Sequence, residues 1–231
     1  MKTEFDQFAN NYVRLSSHPI KRMLGMAESN LPFLQLKVVH LETVLRKLGS
    51  IPSRILDFGC GDGQFGVLLQ TLFPNSHHFG VDCSIEMMCQ STMDRNFVQV
   101  EEFRGLPIAD RVFDLILCVC VFHHLEEKNL ELTFRELSRV LTTGGYIVVF
   151  EHNPTNPLTR FVVRRTPVDK DAVLISVGSL ERVAKKVGLN TVAKRGCGMV
   201  PPISKLMHAI DAQIALLCPI AAQYMIVLRR E

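Results

Sequence analysis

The sequence predicts an α/β protein built on a mostly parallel sheet, and three observations carry that prediction. Ile55-Leu56-Asp57-Phe58 is an apolar strand that breaks into the acidic, glycine-rich loop Gly59-Cys60-Gly61-Asp62-Gly63. Gly63 to Phe73 then sets Phe65, Leu68, Leu69 and Leu72 on one helical face. A second apolar segment, His78 to Val81, ends in another acid, Asp82, about twenty residues after the glycines. Finally, Val112 to Val121 is an apolar run broken only at Asp114, as expected for a parallel strand covered on both faces.

The elements follow in order. Phe5 to Leu15 and Leu31 to Leu48 have helical patterns and precede the first strand. A short strand, Phe97 to Val100, comes between the second strand and the long apolar run. Glu136 to Val149 reads as an amphipathic helix, a glycine C-cap at Gly144-Gly145 and a fifth strand. Ala212 to Leu228 is apolar enough to suggest a membrane span, but Pro219 breaks it and Gln213 and Gln223 interrupt it. We read a core helix, Ser204 to Leu217, and a last strand, Tyr224 to Leu228, with no integral membrane segment.

Composition bounds the answer without deciding it. At 231 residues and 47% apolar content, the chain suits one compact domain with a real core. We divide it into residues 1–50, an N-terminal helical lid, and residues 51–231, a ligand-binding domain. The net charge of +3 gives no push toward a polyanionic partner, and no basic-aromatic stripe supplies a nucleic-acid track. Met1 to Asp6 lacks a signal-peptide core. The seven cysteines form no C-x-x-C pair, so free thiols in a reducing, cytoplasmic setting are expected, with no metal site. Cys118 and Cys120, two apart on a strand, are expected on one face.

The loop after the first strand decides the ligand. Gly61 to Gly66 fits G-x-G-x-x-G, a pattern that offers backbone N–H groups to a pyrophosphate. Here Asp57 and Asp62 would oppose such an anion. A ligand with an ammonium and a sulfonium but no phosphate suits the loop, and S-adenosylmethionine is such a ligand.

At this point the chain resembles the class I S-adenosylmethionine-dependent methyltransferases over roughly Phe5 to Glu151. Asp57-Phe58-Gly59-Cys60-Gly61-Asp62-Gly63 is similar to the family's first motif, with Asp57, Gly59, Gly61 and Gly63 holding the methionine part. Asp82-Cys83-Ser84-Ile85-Glu86-Met87 is similar to its D-x-S-x-x-M run, which implies Asp82 on the ribose and Cys83 and Met87 toward the adenine. Glu102-Phe103-Arg104-Gly105-Leu106-Pro107 resembles the D-A-x-x-L-P segment, with Glu102 and Phe103 on the adenine and Glu101 as fallback. Cys120-Val121-Phe122-His123-His124 resembles the V-x-H-H loop, with Cys120 beside the cofactor. The resemblance implies a Rossmann-like three-layer sandwich whose seven-stranded, mostly parallel sheet has an antiparallel last strand. It also implies that the N-terminal helices, Tyr12 among them, cover the site.

Methyl transfer to oxygen or to a protonated amine needs a proton acceptor. His123, His124 and His152, at the tips of the fourth and fifth strands, are the catalytic candidates. Glu151, His152 and Asn153 are expected to project toward the methyl group. Arg160, Arg164 and Arg165 either bind an anionic substrate or form a solvated surface paired with Asp169 and Asp171. The expected function is methylation of a small molecule or metabolite. The alternatives are a cofactor-binding module without turnover and, disfavoured by the acids, an NAD(P)-type oxidoreductase. Nucleic-acid methylation is disfavoured, and the acceptor atom and oligomeric state stay open.

Overall fold

Strict alternation of side chains along the strands sets the architecture. In the computed structural model, which describes residues 4–11, 30–91, 96–100, 105–214 and 220–231, Ile55, Leu115, Leu117, Val148, Phe150, Met225 and Val227 face one side of a central sheet. Their neighbours Leu56, Ile116, Cys118, Ile147, Val149, Ile226 and Leu228 face the other. Because both sides are apolar, helices must cover both, and a three-layer sandwich results.

The seven strands are β1 (Arg54–Phe58), β2 (His77–Asp82), β3 (Phe97–Gln99), β4 (Phe113–Val119), β5 (Leu141–His152), β6 (Leu189–Cys197) and β7 (Gln223–Arg230). They lie in the order β3-β2-β1-β4-β5-β7-β6. β1 to β5 pair in parallel, whereas β7 runs antiparallel to both β5 and β6. This is the expected mostly parallel sheet with its antiparallel last strand. Chain order reverses between β1 and β4, which opens a crevice beyond their carboxyl ends.

The helices are α1 (Leu31–Lys47), α2 (Gln64–Leu72), α3 (Ile85–Met88), α4 (Glu127–Val140), α5 (Pro157–Val163), α6 (Val177–Lys186) and α7 (Lys205–Ile214). Leu41, Val44 and Leu45 of α1 and Phe65 and Leu69 of α2 pack on the first face. Leu130, Phe134 and Leu137 of α4, with Leu180 and Ala184 of α6, pack on the second. α1 is thus one of the sandwich layers, and a buried pair, His40 Nε2 to Asp211 Oδ1 at 2.8 Å, joins it to α7.

Several local expectations change. Helix α4 has no glycine C-cap: it passes directly into β5 at Leu141, and Thr142 to Gly145 form a bulge with Gly144 at φ 79°. Phe113 pairs with Leu141 while Leu115 pairs with Tyr146, so the extra residues are absorbed inside the strand. Cys118 and Cys120 do not share a face, because the chain leaves the strand after Val119 and Cys120 adopts φ 58°. The described N-terminal residues form two short 3-10 turns, Glu4–Gln7 and Ala9–Asn11, in place of an α-helix. Asp6 there accepts a hydrogen bond from the Ser84 hydroxyl at 2.6 Å, a tertiary tie that displaces weak local helix preference. Tyr12, Glu101, Glu102, Phe103 and the end of the expected 204–217 helix lie outside the described residues. No disulfide links the six cysteines among the described residues to one another.

Phe134 locks α4 to the loop that follows β4. It is fully buried, and its ring stacks on Phe122 with centroids 4.9 Å apart. Phe134→Ala is expected to lower the unfolding free energy by about 3–5 kcal/mol, read from the urea midpoint, and Phe134→Leu by less.

Candidate active site

The glycine loop takes its shape from backbone angles that side chains resist. Gly59, Gly61 and Gly63 have φ of 73°, 53° and 73°. At Gly59 a Cβ would also stand 2.4 Å from Val121 Cγ2, so the loop and the segment after β4 meet backbone to side chain. At Gly61 a Cβ would meet only Met87 Cε at 3.5 Å, so there the positive φ is the constraint. Asp82 closes the loop: Gly61 N–H donates to its Oδ2 at 2.8 Å and Ser84 N–H to its Oδ1 at 2.9 Å.

Asp57 lies beneath the loop, 3% exposed, and among the described residues its Oδ2 has no hydrogen-bond partner. Burial pushes its pKa up to about 7, helped by the charges of Asp82 and Asp62. The same surroundings, burial first and then Asp57 and Asp82, push the Cys60 thiol up. Burial also raises the pKa of Asp82, against its backbone hydrogen bonds. Three acidic side chains thus crowd one turn, with Asp57 and Asp62 lining the pocket and Asp82 bracing the loop.

Above this turn opens a cavity of about 530 Å³, of the size that takes small ligands. Its walls include Lys37 of α1, Cys120, His123, His124, His152, Asp169 and the 198–202 segment. Asp211 holds that segment by accepting from the N–H groups of Gly198, Met199 and Val200.

The histidines form one cluster. Glu151, with no solvent exposure, accepts from the Val121 and Phe122 N–H groups through Oε1 and contacts His123 Nδ1 through Oε2 at 2.5 Å. Asp169 Oδ1 lies 3.5 Å from both His123 Nε2 and His124 Nε2. Burial disfavours a charged His123, but Glu151 and Asp169 outweigh it and carry its pKa well above the ordinary value. His152 goes the other way: burial and the adjacent His123 bring it down to about 4, so its ring stays neutral. Burial raises the pKa of both Glu151 and Asp169, but hydrogen bonds and charge from the adjacent histidines outweigh it and lower both.

The structure therefore gathers Asp57, Gly59, Gly61, Cys120, His123, His124 and His152 around one cavity. Asp82 and buried Met87 flank the loop, and Cys83, half-buried, follows Asp82. Cys60 points inward toward Gly80, not outward. Glu151 does not face the cavity, since it is spent on the β4 loop. Asn153 is also structural, donating to Ala221 O and accepting from Thr155. Asp169 turns to the histidines and not to Arg160 or Arg164, whose side chains are exposed. Lys37 and Asp169 are charged cavity residues that sequence reading missed as site members. Neither stands in a local pattern that separates it from ordinary surface charge.

A glycine-rich acidic turn at the switch point of an open α/β sheet, under a cavity large enough for a nucleoside, defines the class I S-adenosylmethionine-dependent methyltransferase fold. Residues 56–149 match the family model of a methyltransferase domain, and solved S-adenosylmethionine-dependent methyltransferases share the fold. A malonyl-[acyl-carrier protein] O-methyltransferase from Legionella pneumophila is 32% identical over 109 residues, 45% of this chain and 38% of that protein. Another, from Dechloromonas aromatica, is 28% identical over 169 residues, 70% of this chain and 62% of that protein. The chain thus spans less than two thirds of the length of these relatives. A solved S-adenosylmethionine-dependent methyltransferase from Thermotoga maritima shares the fold with a TM-score of 0.68 at 19% identity, covering 98% of each chain.

The raised pKa of Asp57 has a stability consequence. A carboxyl that holds its proton more tightly when folded favours the folded state below its unfolded pKa of about 4 and loses that contribution as pH rises through about 7. Asp57→Asn is therefore expected to raise the melting temperature of the ligand-free chain at pH 8 and to change it much less at pH 5, as thermal unfolding at the two pH values will show.

Proposed function

We propose that this chain transfers a methyl group from S-adenosylmethionine to a small-molecule or metabolite acceptor. The observation that carries this reading is the unpartnered, buried Oδ2 of Asp57 among three carboxylates. A buried polar atom without a partner is costly, and a cationic ligand satisfies it. A pyrophosphate would add to the repulsion instead. When bound, the cofactor supplies an electrophilic methyl on a positively charged sulfur.

The roles of the chain's own residues follow. Gly59, Gly61 and Gly63 give a floor without side chains, and Asp57 receives the ammonium. Asp82 takes the ribose hydroxyls, while Cys83 and Met87, with Glu102 and Phe103, serve the adenine end. Cys120 borders the cofactor at the tip of β4. His152, the cavity histidine that no carboxylate clamps among the described residues, accepts the acceptor's proton. His123 and His124, tied to Asp169, shape the wall beside it. The N-terminal residues act as a cover: Phe5 packs edge-on against His124 with centroids 4.9 Å apart, and Asp6 ties down Ser84.

An anionic group on the acceptor suits Lys37, which is buried at the cavity wall, better than the exposed Arg160, Arg164 and Arg165. The malonyl-[acyl-carrier protein] O-methyltransferases among the relatives support an oxygen acceptor.

Calorimetric titration of the chain with S-adenosylmethionine, NAD and NADP tests the cofactor, and formation of S-adenosylhomocysteine with a pool of carboxylate and hydroxyl metabolites tests turnover. S-adenosylmethionine is expected to bind and both dinucleotides to fail. Dinucleotide binding alone overturns the reading, and cofactor binding without product in any pool leaves the non-catalytic module. Asp82→Ala is expected to weaken cofactor affinity by about tenfold to a hundredfold, the equivalent of ~1.5–3 kcal/mol for hydrogen bonds to a charged group. Gly61→Val should abolish binding in a chain that still folds. His152→Gln should keep cofactor affinity and lose most turnover.

A further inference from the structure

We propose that His123, His124 and Asp169 form a binding site for a single divalent transition-metal ion, with an open coordination position facing the cavity. The inference stands apart from methyl transfer, since it concerns metal binding alone. Three observations carry it. One donor atom from each residue lies within 4.8 Å of the other two. Asp169 Oδ1 is 3.5 Å from each histidine Nε2. Donors about 2.1 Å from an ion at tetrahedral angles stand about 3.4 Å apart, so these two separations already have the spacing a bound ion needs.

The second observation is the state of His123. Its ring is almost wholly buried, and among the described residues the one polar contact of Nε2 is the long one to Asp169 Oδ1 at 3.5 Å. Nδ1 is engaged by Glu151 at 2.5 Å, and Glu151 is itself fixed by two backbone N–H groups. That is the carboxylate–histidine support that orients a metal-binding imidazole and directs its other nitrogen at the ion. The third is charge: Glu151 and Asp169 place two carboxylates around one buried imidazole, and a divalent ion offsets both.

Two imidazoles and one carboxylate suit Zn2+ and neighbouring first-row ions, not Mg2+ or Ca2+, which prefer all-oxygen sets. Three protein ligands leave a position free, as in sites that bind an exchangeable oxygen ligand. All three ligands line the same cavity as His152 and Lys37, so the free position is reached from it.

The test uses the full chain without a histidine tag, stripped with chelator and titrated with Zn2+ by calorimetry, and with Co2+ while its visible absorption is followed. The parent is expected to bind one ion per chain, with a Co2+ spectrum of nitrogen and oxygen ligands. Asp169→Asn and His124→Gln should each weaken Zn2+ binding at least tenfold. Glu151→Gln, which touches no ion, should weaken it by about 10–100-fold. Thermal unfolding of each variant checks that it folds. Part-exposed His124 keeps the proposal testable should Asp169→Asn fail to fold. No stoichiometric binding by the parent, or equal binding by the folded His124→Gln chain, overturns the proposal. So does binding abolished by blocking exposed thiols such as Cys89, which would mark adventitious thiolate capture.

Discussion

The buried carboxylate of Glu151 is the interaction on which the histidine-lined side of the cavity depends. Beyond β4 the chain turns sharply at Cys120, and the N–H groups of Val121 and Phe122 leave the sheet without a strand to pair with. Buried donors must find an acceptor, and Glu151 from the adjacent strand supplies one oxygen to both. Its second oxygen then fixes His123. One side chain thus sets the β4 loop, seats Phe122 against α4 and aims an imidazole at the cavity. Its removal would leave both donors and a ring without support.

A second constraint works against stability. Asp57, Asp62 and Asp82 repel one another beneath a backbone turn that only glycine readily adopts. Proteins keep such local penalties where a ligand relieves them. Here the relief comes from positive charge, so the same crowding that strains the ligand-free chain favours a sulfonium cofactor over a phosphorylated one.

The fold was largely legible because its signals are local. Each of β1, β2 and β4 announces itself as an apolar run ending in an acid or a turn, and the glycines after β1 report a backbone shape. The glycine cap after α4 was misread because Gly144 and Gly145 serve a bulge, and sequence does not distinguish a helix stop from extra residues within a strand. The acidic glycine turn was legible for the same reason as the fold, since its residues follow one another along the chain. The histidine cluster was only half visible. His123 and His124 stand together in sequence, but Glu151 and Asp169 reach them from 28 and 46 positions away through strand pairing and a 3-10 turn. Glu151 was expected at the cavity because it stands at the carboxyl end of its strand, a position that does not tell which donors a carboxylate will find.

The His40–Asp211 pair has a further consequence. Asp211 anchors three consecutive N–H groups of the 198–202 segment while gripping α1 from the opposite side. The acceptor-side rim of the cavity is therefore hung from one latch, while the donor-side turn is built from an entirely separate stretch of chain. Exchange of the rim between relatives, latch included, would change which molecules enter without disturbing how the donor is held, so new acceptors can evolve on an unaltered donor scaffold.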